Sequence, residues 1–229
     1  MDGKIIVGAL LGLSCAALAD VRTHALFSEN AVLQQQMRIP VWGTATDGEK
    51  VTVEFQNQKV SATTVDGQWK VTLKPLKAGG PFTMTFRGQN TVTLTNILVG
   101  EVWICSGQSN MVYPLQGCEG GPEAIAQSKD PLLRLLVMPR QKGIVTGDKP
   151  LRDPPGPVAW LECQPENLAG IGGVVYFFGR DLRKARGVPV GLIQVGEGSS
   201  PAQLWTPRHI LETPAFRRFI EEYDKVVKE

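Results

Sequence analysis

Residues 107–111 read Gly-Gln-Ser-Asn-Met and follow the apolar run Glu101, Val102, Trp103, Ile104, Cys105, so a serine stands where a buried strand ends. A strand that stops at a glycine and turns into a helix exposes the side chain at the turn. The first free backbone N–H groups then point at whatever that side chain attacks. Ser109 is therefore a candidate nucleophile. Out of context, a serine in this place is more often a plain helix N-cap, and what else the chain supplies must separate the two readings. Position 111 is Met, so the glycine that a Gly-x-Ser-x-Gly nucleophile elbow needs two places after the serine is missing.

The elements that must position Ser109 follow from pattern. After Gly100 the chain alternates strand, loop and helix, which predicts a parallel sheet with helices on its faces. Its strands are residues 101–106, 132–138 and 190–195. A helix over 174–186 places Val175, Phe178, Leu182 and Ala185 on one face and is stopped by Gly187 and Pro189. Residues 141–157, rich in Gly, Pro and charge, read as a long surface loop. A last amphipathic helix over 213–229 starts at Thr213 and Pro214, pairs Glu221 with Lys225 and Asp224 with Lys228, and turns Phe216, Phe219, Ile220 and Tyr223 to a core.

From about Ala25 to Ile97 the grammar is different: short runs of alternating apolar and polar residues separated by turn residues, with Asp66-Gly67 the strongest hairpin signal. This predicts an antiparallel β-sandwich or jelly-roll-like unit whose core face carries Val51, Val53, Phe55, Trp69, Val71 and Leu73. The fold class is α+β in two parts, with residues 20–98 forming the β-sandwich domain and residues 99–229 the parallel-sheet domain.

With 229 residues and a formal net charge of +2, the chain can bury one large or two small cores. It has no basic patch with interleaved aromatics, which argues against a nucleic-acid or anionic-membrane partner and for a neutral or mildly charged ligand. Lys4, the apolar stretch 5–18 and the small residues Ala17 and Ala19 before Asp20 read as a secretory signal peptide over residues 1–19. The stretch is shorter than the roughly 20 residues that span a bilayer. A lipoprotein signal with Cys15 as acceptor is the alternative, against which Gly12 stands.

The expected location is secreted or periplasmic, with no membrane partner after cleavage. Cys105, Cys118 and Cys163 would remain, an odd number in an oxidising compartment. Cys105 reads as a core residue, and a Cys118–Cys163 bridge is left open. No Cys-x-x-Cys or His/Cys spacing occurs, and His24 and His209 stand far apart, so neither a metal nor a cofactor is expected.

Further segments sit in order around GQSNM: ALFSENAVLQQQMRIPVWGTATDGEKVTV, with Val32, Leu33, Gln34 and the turn Pro40, Val41, Trp42, Gly43; GGVVYFFGRDLRKARGVPVGLIQV; and PAQLWT at residues 201–206. Together they resemble the SGNH hydrolases, in particular the sialate O-acetylesterase-like carbohydrate esterases, over nearly all of the mature chain. The resemblance implies an N-terminal β-domain followed by an α/β/α, flavodoxin-like domain. It also implies a serine esterase that removes O-acetyl groups from sialic acid or another acetylated glycan, with Ser109 as nucleophile.

Gly198, Ser199 and Ser200 resemble the family's Gly-Gly-[Ser/Thr] turn, which makes the Gly198 N–H the second oxyanion donor beside that of Ser109. The chain departs from the family here. Ser199 replaces the second glycine, where a side chain disfavours φ > 0, and Glu197 stands where an aromatic residue is usual. Gln108 and Asn110 flank the nucleophile and either orient substrate or hold the loop. Trp205, close to the second turn, is the candidate substrate contact among five tryptophans.

The family's Asp-x-x-His pair, and the Gln-Gly-Glu block before it, do not occur. Neither His24 nor His209 has an aspartate three places before it. The chain therefore reads as the N-terminal portion of a truncated hydrolase, weakly active or inactive alone, since loss of a triad partner removes several orders of magnitude in rate. The alternative is a non-catalytic carbohydrate-binding or adhesion protein with a remnant hydrolase domain. The sequence does not set the oligomeric state.

Overall fold

A computed structural model of the chain describes residues 20–139 and 157–228. The leader with Cys15, and residues 141–156 of the expected loop, lie outside the described residues. The N-terminal strands are β1 (Arg22–Thr23), β2 (Val32–Gln34), β3 (Ile39–Thr44), β4 (Lys50–Phe55), β5 (Gln58–Thr63), β6 (Gln68–Leu73) and β7 (Gly79–Arg87). Period-two alternation turns every second residue of β4 and β6 inward. Val51, Val53, Phe55, Trp69, Val71 and Leu73 are all at most 4% exposed, as the pattern predicts.

These six residues come from two different sheets that share one core. Asp66 and Gly67 both have positive φ, and Val65 and Gln68 exchange both backbone hydrogen bonds, at 2.9 and 3.0 Å, as a two-residue hairpin turn requires. Beyond that pair the arms part: β5 pairs β4 in the large sheet, and β6 pairs β3 in a small sheet ordered β1-β3-β6.

The large sheet is built around β8 (Thr91–Gly107), which is 17 residues long. Its first part pairs antiparallel with β7 and, at Leu98 to Gly100, parallel with β2. Its last part, from Glu101 to Gly107, pairs parallel with β11 (Val190–Gly196). The expected domain boundary at 98/99 thus falls inside one strand. β11 also pairs parallel with β9 (Asp130–Val137), and β10 (Trp160–Cys163) adds an antiparallel edge to β9, a strand the sequence pattern did not signal.

The order β10-β9-β11-β8 puts the third-written parallel strand in the centre, where a flavodoxin-like order would put the first. Beyond Gly100 the outer edge of β8 has no strand partner among the described residues. The Val102 N–H is taken by the Gln34 side chain at 2.7 Å, and Ile104 is 71% exposed.

The helices are α1 (Ser109–Val112), α2 (Gly121–Ala126), α3 (Pro165–Leu168), α4 (Gly173–Arg186), α5 (Arg208–Leu211) and α6 (Arg217–Lys228). α4 covers one face of the parallel strands and ends, as expected, at Gly187, whose left-handed φ of 66° lets its N–H reach the Arg183 carbonyl. Of its predicted face Val175 is buried and Leu182 packs on the core, whereas Phe178 and Ala185 are exposed and Tyr176 and Gly179 are buried instead. A Cβ at Gly179 would run into Leu192, so the helix approaches the sheet through that glycine, and Phe178 is left meeting Trp103 edge-on at 5.3 Å. The last helix begins at Arg217, later than the predicted Thr213, and its Asp224 lies 3.8 Å from Arg208.

One polar cluster joins the two parts. Arg134 on β9, 2% exposed at its side chain, lies 2.5 Å from Glu162 of β10 and donates to Asn96 of β8 at 3.1 Å; Asn96 in turn donates to Glu162 and to Asn30. Burial works against ionising Glu162, but its bonds with Arg134 and Asn96 outweigh that and hold its carboxyl below the ordinary glutamate value. Cys105, Cys118 and Cys163 are free, so the bridge left open by the sequence is not formed. Burial pushes the Cys163 thiol up to about 12.

Glu162→Ala strands the buried Arg134 charge. Urea denaturation should show a loss of about 3 kcal/mol, the low end for breaking a buried pair, because Glu162 is itself 37% exposed. A folded pKa below the unfolded one means that the Glu162 contribution is fully present above the ordinary glutamate range and disappears as pH falls through the lowered value. Acid titration of stability should therefore be shallower in Glu162→Gln than in the parent chain.

Candidate active site

β8 delivers Ser109. Gly107, the last strand residue, has a φ of 151°, and a Cβ there would lie 2.7 Å from Met111 Cγ, so the turn from strand into α1 depends on a residue without a side chain. Gly196 is in register with Gly107, and the Glu197 N–H donates to the Gly107 carbonyl at 3.0 Å, which carries the pairing one residue past the strands. The chain then turns, and a Cβ on Gly198 would sit 3.7 Å from Ser109 Oγ. Parallel pairing thus brings together the two segments that the sequence singled out.

Ser109, Gln108 and Asn110 are exposed at the carboxyl end of the sheet. Gln108 is the N-cap of α1, and its side-chain oxygen accepts from the Ser109 N–H at 3.2 Å. One of the two donors expected for an oxyanion is therefore already occupied, and Gln108 holds the loop in this state. Ser199 has a φ of 61°, the left-handed conformation that a glycine would adopt without penalty. Ser200 is 6% exposed; its hydroxyl donates to the Glu197 carbonyl at 2.6 Å and accepts from the Trp205 indole N–H at 2.9 Å. Trp205 ends a short 3-10 turn (Ala202–Trp205) and is 40% exposed.

Behind Ser109, the buried Gln194 of β11 accepts from the Gly172 N–H at 2.8 Å, and a Cβ at Gly172 would collide with the Met111 carbonyl. The start of α4 is thus clamped against the loop that carries the serine. Sequence reading missed Gln194 and the role of the Ser200 hydroxyl. An amide inside the apolar run Val190 to Val195 was the available signal for the first.

No described residue stands as a base at Ser109. His24 is buried in the N-terminal part with its ring 5.2 Å from Trp42, and His209 is exposed on α5. Among the described residues, no histidine or carboxylate hydrogen-bonds Ser109 Oγ, and no three His, Cys, Asp or Glu side chains gather as a metal site requires.

No protein-family model matches the sequence. Curated proteins do: the chain is 31% identical over 193 residues to a sialate O-acetylesterase of Rattus norvegicus, covering 75% of this chain and 34% of that protein. It is 29% identical over 222 residues to the sialate O-acetylesterase of Homo sapiens, covering 88% and 42% respectively. A crystal structure of a carbohydrate acetylesterase from Xanthomonas citri superposes with a TM-score of 0.78 at 30% identity, over 85% of this chain and 44% of that one. The chain is a relative of the sialate O-acetylesterase-like carbohydrate esterases. The chain spans between 34% and 44% of the length of these relatives. Its mixed α/β organisation, with parallel strands in the central sheet, is that of the solved esterase over the shared part.

Releasing the left-handed strain in the second turn should be measurable. Ser199→Gly is expected to raise the unfolding free energy by about 1 kcal/mol in urea. A loss instead would mean that the Ser199 side chain makes a contact that outweighs its backbone cost.

Proposed function

We propose that the chain supplies the nucleophile of a serine esterase that removes O-acetyl groups from sialic acid or another acetylated carbohydrate, and that it works outside the cytoplasm. The observation that carries this reading is the placement of the Gly198 turn against Ser109 Oγ, since a hydroxyl and a neighbouring backbone donor are what attack on an acetyl carbonyl requires. Ser109 Oγ adds to the carbonyl carbon, and its proton passes to a base that the described residues do not provide. The negative charge that develops on the carbonyl oxygen falls to the Gly198 N–H, joined by the Ser109 N–H once Gln108 lets go. The exposed ring of Trp205 offers an apolar face for the sugar. The relatives' names support the substrate class, and the leader pattern supports export. The two N-terminal sheets around one core fit a sandwich-type domain preceding the site.

Without a paired base the isolated chain should turn over slowly. That same lack is what favours the second reading, a carbohydrate-binding protein in which the hydrolase part no longer acts. Labelling with a fluorophosphonate and hydrolysis of 4-nitrophenyl acetate separate the two. The esterase reading expects slow label on Ser109, retarded like turnover by the lack of a base yet faster than at ordinary surface serines, none at that position in Ser109→Ala, and turnover roughly 10⁴-fold or more below that of a complete serine esterase. An unlabelled Ser109 in folded protein would leave the binding role standing.

A further inference from the structure

We propose that Ser200 is a positioning residue whose hydroxyl ties the Gly198 turn and the Trp205 ring into one unit, so that the oxyanion donor and the sugar platform are held as a pair. The proposal rests on the esterase reading for the meaning of that pair, though the tie itself does not depend on it.

A serine hydroxyl has one proton to give and lone pairs to receive. Ser200 uses both, giving its proton to the Glu197 carbonyl at 2.6 Å and receiving the Trp205 indole N–H at 2.9 Å. Its own backbone N–H also leans on the Glu197 carbonyl, at 3.4 Å, so residues 197–200 close as a turn with Gly198 and the left-handed Ser199 at the bend. Glu197 is in turn fastened to β8 through its N–H on the Gly107 carbonyl. A continuous path therefore runs from the strand beneath Ser109, through the turn that faces Ser109 Oγ, to the tryptophan. Ser200, whose hydroxyl lies at its centre, is 6% exposed as a residue, so water is a poor substitute for either partner.

The tie also decides what Trp205 offers. Indole has a single N–H donor and no acceptor. With that donor turned inward to Ser200, the 40% of the residue that remains exposed presents its ring, the surface suited to the C–H face of a pyranose. Removing the hydroxyl frees the indole and leaves the Glu197 carbonyl with only the longer Ser200 N–H bond, which loosens the Gly198 N–H and the ring in one step.

The test joins an exchange measurement to a reactivity measurement. In parent protein labelled with ¹⁵N-tryptophan, and with the resonance assigned by Trp205→Phe, the Trp205 indole N–H should exchange far more slowly than free indole. In Ser200→Ala that protection should vanish, and the second-order rate of fluorophosphonate labelling at Ser109 should fall by about ten- to a hundredfold, with circular dichroism unchanged. Ser200→Thr, which keeps a hydroxyl, should recover both. An unprotected Trp205 indole in the parent protein overturns the proposal without any variant having to fold. So does a folded Ser200→Ala whose labelling rate is unchanged, or a loss that Ser200→Thr does not repair. If Ser109 takes no label even in the parent chain, the esterase reading fails, and the exchange result still decides whether the tie exists.

Discussion

The continuity of β8 as one strand from Thr91 to Gly107 is the constraint on which the other features depend. One strand serves an antiparallel neighbour, β7, along its first part and a parallel neighbour, β11, along its last. Because strand side chains alternate faces, a slip of one residue would turn the buried set of β8 outward in both places. The placement of Ser109 beside Gly198 is therefore set by the β8–β11 register. β8 is in turn held by bonds to β2 and β7 well outside the site. The N-terminal strands stabilise the chain and also locate its candidate nucleophile.

Around that strand, apolar and polar interactions divide the labour. The first core runs from the N-terminal strands into Leu136 and Trp160, with Val102 and Ile193 against it, so apolar burial does not stop at the change from antiparallel to parallel pairing. A second core under α4, built from Cys105, Leu133, Leu192 and Val175 among others, covers only the opposite face. The Arg134, Glu162, Asn96 and Asn30 cluster adds direction at the seam, since a buried guanidinium tolerates few geometries. At the site, the same economy of partners is seen in Gln194 and Ser200, each a buried polar side chain holding a backbone segment in place.

What could be read from the sequence was what is local. The strand before GQSNM, the parallel strands at residues 132–138 and 190–195, the Asp66-Gly67 turn and the Gly187 helix stop each follow from the residues that form them. Pairing between distant segments could not be read in that way. Nothing near Trp160 announces that it pairs antiparallel with β9, and nothing in β5 or β6 shows that they part into different sheets after a regular hairpin turn. The buried stripe of α4 shifted because Gly179, which carries no apolar weight in a pattern, is the point of nearest approach to Leu192. Ser109, Gly198 and Trp205 were legible as candidates from residue type and order. The hydroxyl that connects the last two depends on tertiary placement and was not.

The outer side of β8 beyond Gly100 has a different consequence. Among the described residues no strand lies beside its amide and carbonyl groups, and the exposed Ile104 and Trp103 flank them, so this edge has the hydrogen-bonding capacity to take one more strand.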